Sequence, residues 1–333
     1  MDLREYLEEQ RKVIDEEISR VLPRDSEINE MYNIQWQFLE GGGKRWRPTL
    51  CLLVNKSLGG SIETALPFAA GVELVHNFSL IHDDIEDGDR SRRGRPTLWV
   101  LHGRAKAINI GDNMLNKAYE AVTRLKENGV SAEKTLWCLR LLCDSTVTLS
   151  EGQAMEMNFL DRWDVTEDEY MEMVWRKTGV LVSAAVAGGA YLAGAGESVV
   201  GAMKDYGRLI GPAFQITDDV LNLSGDFDRY QKEIGGDIRE GKKTLMVIHL
   251  LRNASEGEKK RAMEILGKPR SKTTGEGCRY VLDLMDKYRS IEYAREMANE
   301  RIDGALEKLR SLPDSEERDV LEGLTNFLVN RDY

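Results

Sequence analysis

ELVHNFSLIHDDIED, residues 73–87, decides how the rest of the chain is read. Leu74, Val75, Phe78 and Ile81 recur at helical spacing and lead into the acidic motif Asp83-Asp84-x-x-Asp87. At about 3.6 residues per turn, Asp83 and Asp87 project from one face of that helix. Two neighbouring carboxylates repel unless a cation lies between them. Hard oxygen donors favour Mg²⁺, which takes few protein carboxylates, keeps several waters and also binds substrate phosphates. An isolated motif of this kind equally suits an exposed acidic helix end, so its meaning depends on its company.

That company begins with a second acidic cluster. GPAFQITDDVLNL (211–223) is again an apolar helical run, ending in Asp218 and Asp219, with Asn222 where a further aspartate would complete the pattern. Two acidic ends of apolar helices suggest facing carboxylate walls, with a diphosphate bridged by Mg²⁺ between them. Such a cleft needs cations for the remaining phosphate charge. Gly41-Gly42-Gly43-Lys44-Arg45-Trp46-Arg47-Pro48 reads as a glycine turn that admits close approach of an anion and presents three cations. Arg92-Arg93-Gly94 follows the first acidic motif, Lys177-Thr178-Gly179 adds a cation and a hydroxyl, and Lys232, Lys242 and Lys243 flank a glycine-bearing loop. Each alone fits a solvated surface. Together with two acidic clusters they describe an anion site.

The 333 residues carry 41% hydrophobic side chains, enough for a large core, and only 7 prolines. The long segments are rich in helix formers. Thr166 and Glu169 predict a capping box, as do Ser255 and Glu258, and Ser131 is placed to cap the helix that follows it. No alternating β-branched run is long enough for a strand. The expectation is one all-α domain over residues 1–333. Polar breaks fall at 88–96, 225–244 and 267–277, the second being a candidate lid.

A net charge of −11 argues against a nucleic-acid partner. Cys51, Cys138, Cys143 and Cys278 show neither CxxC nor zinc-site spacing, which suits reduced thiols in a cytoplasmic protein. The N-terminal stretch is charged throughout and is no signal peptide. Residues 179–196 are uncharged, but Gly and Ala dominate. They read as a closely packed helix of a soluble bundle, and no membrane span is expected.

Taken in order, GGKRWRP (42–48), ELVHNFSLIHDDIED (73–87), RRGRPT (92–97), GD (111–112), EGQ (151–153), KTG (177–179), FQITDD (214–219) and KEIGGDIREGKKT (232–244) resemble the trans-isoprenyl diphosphate synthase family, which includes farnesyl and geranylgeranyl diphosphate synthases. The resemblance implies long helices around a central substrate cavity, a homodimer, and a site for three Mg²⁺ ions. By motif, Asp83, Asp87 and Asp218 would be the principal metal ligands, with Asp84, Asp219 and Asn222 as direct or outer partners. Arg92, Lys177, Thr178, Gln215, Lys232 and Lys242 would hold the allylic diphosphate. Lys44, Arg47, His76 and Arg93 would hold isopentenyl diphosphate. Asn222 departs from the family's final Asp, and Trp99 stands where a His is common; activity is expected to survive both.

The implied chemistry is ionisation of the allylic diphosphate, attack by the alkene of isopentenyl diphosphate, and proton loss to the released diphosphate. Product length would be set by what blocks the growing tail. Phe78 lies five residues before Asp83, roughly 7–8 Å along the helix at about 1.5 Å per residue. Small Ser79 follows it, and Leu74 and Val75 lie a turn deeper. One aromatic without a bulky partner resembles geranylgeranyl more than farnesyl synthases, so the expected product is C20, with C15 or longer chains as alternatives. Asn109, Asn113 and Asn116 form a stripe on one helix face, expected to be structural, with a dimer interface as one setting. Two other classes compete. A class I terpene cyclase shares the ionisation step but needs no second diphosphate site. A non-catalytic subunit of a heteromeric synthase usually lacks the acidic motifs kept here.

Overall fold

The computed structural model describes residues 3–24, 26–224 and 235–329. The fold is all-α. In chain order the helices that matter for the site are α1 (Leu3–Ser19), α2 (Asn29–Glu40), α3 (Trp46–Ser57), α4 (Ile62–Glu86), α5 (Leu98–His102), α6 (Arg104–Thr123), α7 (Ala132–Phe159), α8 (Glu167–Val174), α9 (Val180–Leu192) and α10 (Glu197–Ser224). Six further helices run from Gly236 to Val329. The sequence showed no strand, yet Ser91–Arg92 (β1) pairs antiparallel with Arg95–Pro96 (β2). This ribbon is too short for any periodic signal. Its turn is Arg93-Gly94, both with positive φ (53° and 71°), as a two-residue hairpin requires.

The chain groups into two compact units. Unit 1 is Met1–Val147, Leu181–Gly207 and Leu306–Leu324, and unit 2 is Thr148–Val180, Arg208–Ala305 and Thr325–Tyr333. In unit 1, α4 packs along α6, α3 and α1. Phe68, Val72, Leu74 and Val75 of α4 are fully buried. Among the described residues α4 alone is long and apolar enough to cross a membrane by length and composition, and 67% of its apolar window is buried inside the chain. The uncharged stretch from 179 forms α9, a 13-residue helix, so it falls short of a span. Val182, Val186, Ala187 and Ala190 are fully buried, and Asn55 Nδ2 of α3 reaches the Gly189 carbonyl at 3.1 Å.

In unit 2, α8 starts with the capping box read from the sequence. The Thr166 hydroxyl accepts from Glu169 N, and the Glu169 carboxylate accepts from Thr166 N. In unit 1, Ser131 accepts from Lys134 N at the start of α7. The Ser255–Glu258 pair differs from its expectation. Ser255 makes no side-chain cap bond to the helix, because its hydroxyl donates instead to Glu258, whose carboxylate also holds Lys287 and Tyr288.

Candidate active site

The glycine turn of unit 1 sorts its own cations. Gly42 and Gly43 adopt φ of 128° and 115°, and Arg45 is left-handed at 51°, so the chain reverses sharply before α3. That reversal turns Arg45 inward, where its side chain is fully buried. Its guanidinium donates to Asp15 Oδ1 (2.9 Å), Glu73 Oε1 (3.2 Å) and the Leu39 carbonyl (2.8 Å). The turn therefore presents two cations, Lys44 and Arg47, where three were expected. Lys44 is exposed. Arg47 lies over the Trp46 ring, with Nη1 3.2 Å from His76 Nε2. A guanidinium only donates, so Nε2 of His76 accepts and its proton sits on Nδ1. Burial holds His76 well below the ordinary histidine range, and Arg47, Arg93, Arg92 and Arg45 reinforce this. His76 is a neutral imidazole at physiological pH. Arg93, in the hairpin turn, donates to the Gly42 carbonyl. Burial draws its pKa down to about 10, partly offset by Glu73.

On the same helix, Asp83 and Asp87 bring carboxylate oxygens within 4.8 Å of one another. That is the one-face projection read from the motif. Asp84 points elsewhere: it is 1% exposed, and Oδ1 accepts from Arg92 Nε at 2.6 Å. Burial pushes the Asp84 carboxyl up to about 6 against the pull of Arg92. Its Oδ2 is buried with no hydrogen-bond partner among the described residues. Arg92 also reaches Asp83 Oδ2 at 3.4 Å, so two acids of α4 hold it.

Unit 2 carries the other motifs. Lys177 and Thr178 sit in a π-helical turn, Trp175–Gly179, between α8 and α9. Such turns widen the helix and disturb its carbonyl ladder, and they gather at functional sites. Gly152 of the EGQ motif makes room for it, since a Cβ there would lie 2.4 Å from Lys177 N. Lys177 Nζ pairs with Glu156. The Thr178 hydroxyl donates to Gln215 Oε1 (3.1 Å), and Gln215 Nε2 donates to Asp219 Oδ1 (2.8 Å). Tyr170 donates its hydroxyl to Asp219 Oδ2 at 2.7 Å. Burial raises the Asp219 carboxyl to about 8, helped by Asp237 and Asp218 and opposed by Gln215 and Tyr170. Asn222 takes a definite role: its Oδ1 accepts from Asp237 N and its carbonyl from Gly235 N, so it anchors the start of the helix Gly236–Glu240. Lys242 Nζ lies 3.1 Å from Glu240. Lys243 is a structural cation. It is 5% exposed, donates to the Leu160 and Gly241 carbonyls and lies over the Trp163 ring. Lys232 and residues 225–234 of the candidate lid lie outside the described residues.

The tail-length candidates are all on α4. Leu74 and Val75 are fully buried. Ser79 is half-buried and donates to the His76 carbonyl at 2.8 Å. The half-buried Phe78 ring leans on His82, centroids 4.7 Å apart, and His82 Nε2 is 3.4 Å from the Ile108 carbonyl of α6. At about 100° per residue, Phe78 lies about 140° round the helix from Asp83, and Ser79 about 40°. In the asparagine stripe only Asn113 shows a cross-helix amide bond among the described residues, from Gln35 at 3.1 Å, while Asn109 and Asn116 are exposed.

Hard oxygen donors gathered this closely fit a divalent cation. The Asp83–Asp87 pair and the cluster of Asp218, Asp219 and Asp237 both have that character. Sequence reasoning missed Asp15, Glu73, Tyr170, Glu156 and Asp237. Glu73, an acid inside an apolar helix, and Asp237, within the motif at 232–244, were signals available. The partners of Tyr170 and Asp15 are 49 and 30 residues away.

Residues 28–285 match the polyprenyl synthetase family. A short chain isoprenyl diphosphate synthase of Methanothermobacter thermautotrophicus is 40% identical, the match covering 99% of this chain and 98% of that protein. A geranylgeranyl diphosphate synthase of Methanosarcina mazei is 37% identical over 96% of this chain and 95% of its own. The crystal structure of a geranylgeranyl pyrophosphate synthetase from Pyrococcus horikoshii superposes with a TM-score of 0.92 at 39% identity, covering 99% of both chains. The fold and these likenesses define a trans-prenyltransferase. The chain belongs to the polyprenyl synthetase family, a Mg²⁺-dependent one.

Proposed function

We propose that the chain condenses isopentenyl diphosphate with allylic diphosphates and that its main product is geranylgeranyl diphosphate, C20. The observation that carries this is the composition of one face of α4. His76, backed by Arg47, and the Asp83–Asp87 pair are two turns apart on that face, about 10 Å along the axis. An anion-binding group and a metal-binding pair thus share one rigid element. The likeness to geranylgeranyl diphosphate synthases supports the C20 assignment.

In this reading Lys44, Arg47, His76 and Arg93 hold isopentenyl diphosphate, and neutral His76 donates through Nδ1. Arg92, Lys177, Thr178, Gln215, Lys232 and Lys242 serve the allylic diphosphate. Asp83, Asp87 and Asp218 ligate the metal, with three ions as the number the family resemblance implies. Bound Mg²⁺ supplies Lewis-acid stabilisation of charge developing on the departing diphosphate. In this reading the Lys177 carbonyl, the Thr178 hydroxyl and the Gln215 amide stabilise the allylic positive charge. Proton loss to the released diphosphate requires no protein base. The enzyme works as a homodimer in the cytoplasm: Leu101 and Ile108, 53% and 43% exposed on α5 and α6, offer apolar surface for a second copy, and the four cysteines form no disulfide with one another.

Mass spectrometry of products from dimethylallyl plus isopentenyl diphosphate with Mg²⁺ tests the reading. C20 diphosphate is expected. Hydrocarbon made without isopentenyl diphosphate, or no turnover by the chain alone, would overturn it.

A further inference from the structure

Arg45 lies between Lys44, which is exposed, and Arg47, which packs over Trp46 beside His76, and it is spent on the protein itself. Asp15 of α1 takes its Nε at 2.9 Å, and Arg11 Nε steadies the other Asp15 oxygen at 3.4 Å. Glu73 of α4 takes Nη1, while Asn77 Nδ2 donates to the same Glu73 oxygen at 2.8 Å. The Leu39 carbonyl at the end of α2 takes Nη2. Three helices therefore meet on one guanidinium. The fixed, planar fork of arginine suits this, and lysine could not make the same set of bonds. Arg45 Nη1 also reaches the Gly42 carbonyl at 3.4 Å, and Arg93 donates to the same oxygen. The turn is held by its carbonyl from two sides. A Cβ on Gly43 would lie 2.7 Å from Arg45 Nη1, so the turn is built tightly round this side chain.

Charge accounting gives the arrangement its purpose. Asp15 and Glu73 balance the charge of Arg45, which sits between Lys44 and Arg47 in the turn. Without those acids, Arg45 would be a buried, uncompensated cation, and the left-handed conformation that carries it inward would lose its anchor. Lys44 and Arg47 flank Arg45 in sequence, so any shift of Arg45 moves both.

We propose that Asp15 and Glu73 are positioning residues for the isopentenyl diphosphate subsite, acting through Arg45, so that the N-terminal helix α1 is a working part of that subsite. The proposal rests on the assignment of Lys44 and Arg47 to isopentenyl diphosphate made above. Helix α1 reaches the basic turn through the Asp15–Arg45 pair. A displacement of the turn by an ångström is enough to change binding about tenfold or more.

Initial rates of the full-length enzyme, with each substrate varied separately, test it. Asp15→Asn is expected to raise KM for isopentenyl diphosphate about tenfold, with kcat and the allylic KM within about twofold of wild type. Asp15→Glu keeps the carboxylate and should restore most of the loss. Glu73→Gln, which removes the second charge independently, should show the same selective rise, and it carries the test if the Asp15 variants fail to fold. A merely structural role would lower the melting temperature and leave the three parameters unchanged or move them together, and either outcome overturns the inference. Arg47→Ala serves as the control. If it too leaves the isopentenyl diphosphate KM unchanged, the underlying subsite assignment is at fault; if it raises that KM while Asp15→Asn and Glu73→Gln do not, the positioning role is.

Discussion

The Tyr170 hydroxyl donates a 2.7 Å hydrogen bond to Asp219 Oδ2, joining α8 to the second acidic motif on α10. Gln215 Nε2 holds the other Asp219 oxygen at 2.8 Å. Both donors favour the carboxylate against its burial and against Asp237 and Asp218. Tyr170→Phe removes one of the two and leaves the shape intact. A hydrogen bond to a charged group contributes about 1.5–3 kcal/mol, so Asp219 should hold its proton more tightly and serve a cation less well. The Mg²⁺ concentration for half-maximal rate is expected to rise about tenfold, with helix content unchanged by circular dichroism. An unaltered Mg²⁺ profile would reduce the contact to core packing.

Asp83→Ala and Asp218→Ala are expected to abolish turnover, on the order of 10³-fold in kcat, with little change in helix content. Both carboxylates are only partly buried, so removing them leaves no cavity in the core. Near-normal kcat at saturating Mg²⁺ in either variant would end the metal assignment.

The two diphosphate subsites should separate kinetically. Lys44→Ala and Arg47→Ala are expected chiefly to raise KM for isopentenyl diphosphate, while Arg92→Ala and Lys242→Ala impair use of the allylic substrate. Arg92→Ala should carry a second penalty. It leaves Asp84, 1% exposed, as a buried acid without its cation. Loss of one partner of such a pair costs about 3–5 kcal/mol, readable in urea unfolding. The same kinetic profile for all four variants would show that the division is wrong.

Gly152→Ala tests the packing under the π-helical turn. The new methyl would lie 2.4 Å from the Lys177 backbone nitrogen, so α7 and the turn must part. Overpacking of this kind costs about 1–3 kcal/mol. The allylic kcat/KM should fall more than the isopentenyl diphosphate KM changes, because Lys177 and Thr178 sit in the displaced turn. A variant with wild-type kinetics would mean the turn tolerates displacement.

The motifs were legible because each is compact. Asp83 and Asp87 are one helical turn apart, and Thr166 with Glu169 forms a cap whose two bonds are both present. Relations spanning the fold were not legible. Arg45 reads as one more cation of a basic turn until its left-handed backbone sends it to Asp15 and Glu73. Lys243 reads like Lys242, and only burial over Trp163 separates them. The π-helical turn has no composition of its own and follows from how α7 packs on residues 175–179. The hairpin at 91–96 offers two residues per strand, below the length at which alternation can be read.

Product length gives the last test, and helix geometry sharpens it. Phe78 and Ser79 are neighbours, but at about 100° per residue Ser79 lies nearer the Asp83 face while Phe78 lies towards α6, with its ring on His82. If Phe78 is the floor of the tail channel, that channel must bend round α4 past Ser79 before it meets the ring. Phe78→Ala should then open space towards Leu74 and Val75 and shift the main product from C20 to C25 and beyond. Ser79→Phe should close the channel earlier and shift it to C15. Neither change touches a carboxylate, so total turnover should fall by less than about tenfold while chain length changes. Chromatography of dephosphorylated products from wild type and both variants reads this directly. A shift with Ser79→Phe but none with Phe78→Ala would place the tail along the Asp83 face, leave the Phe78–His82 pair as packing against α6, and assign the floor to another helix.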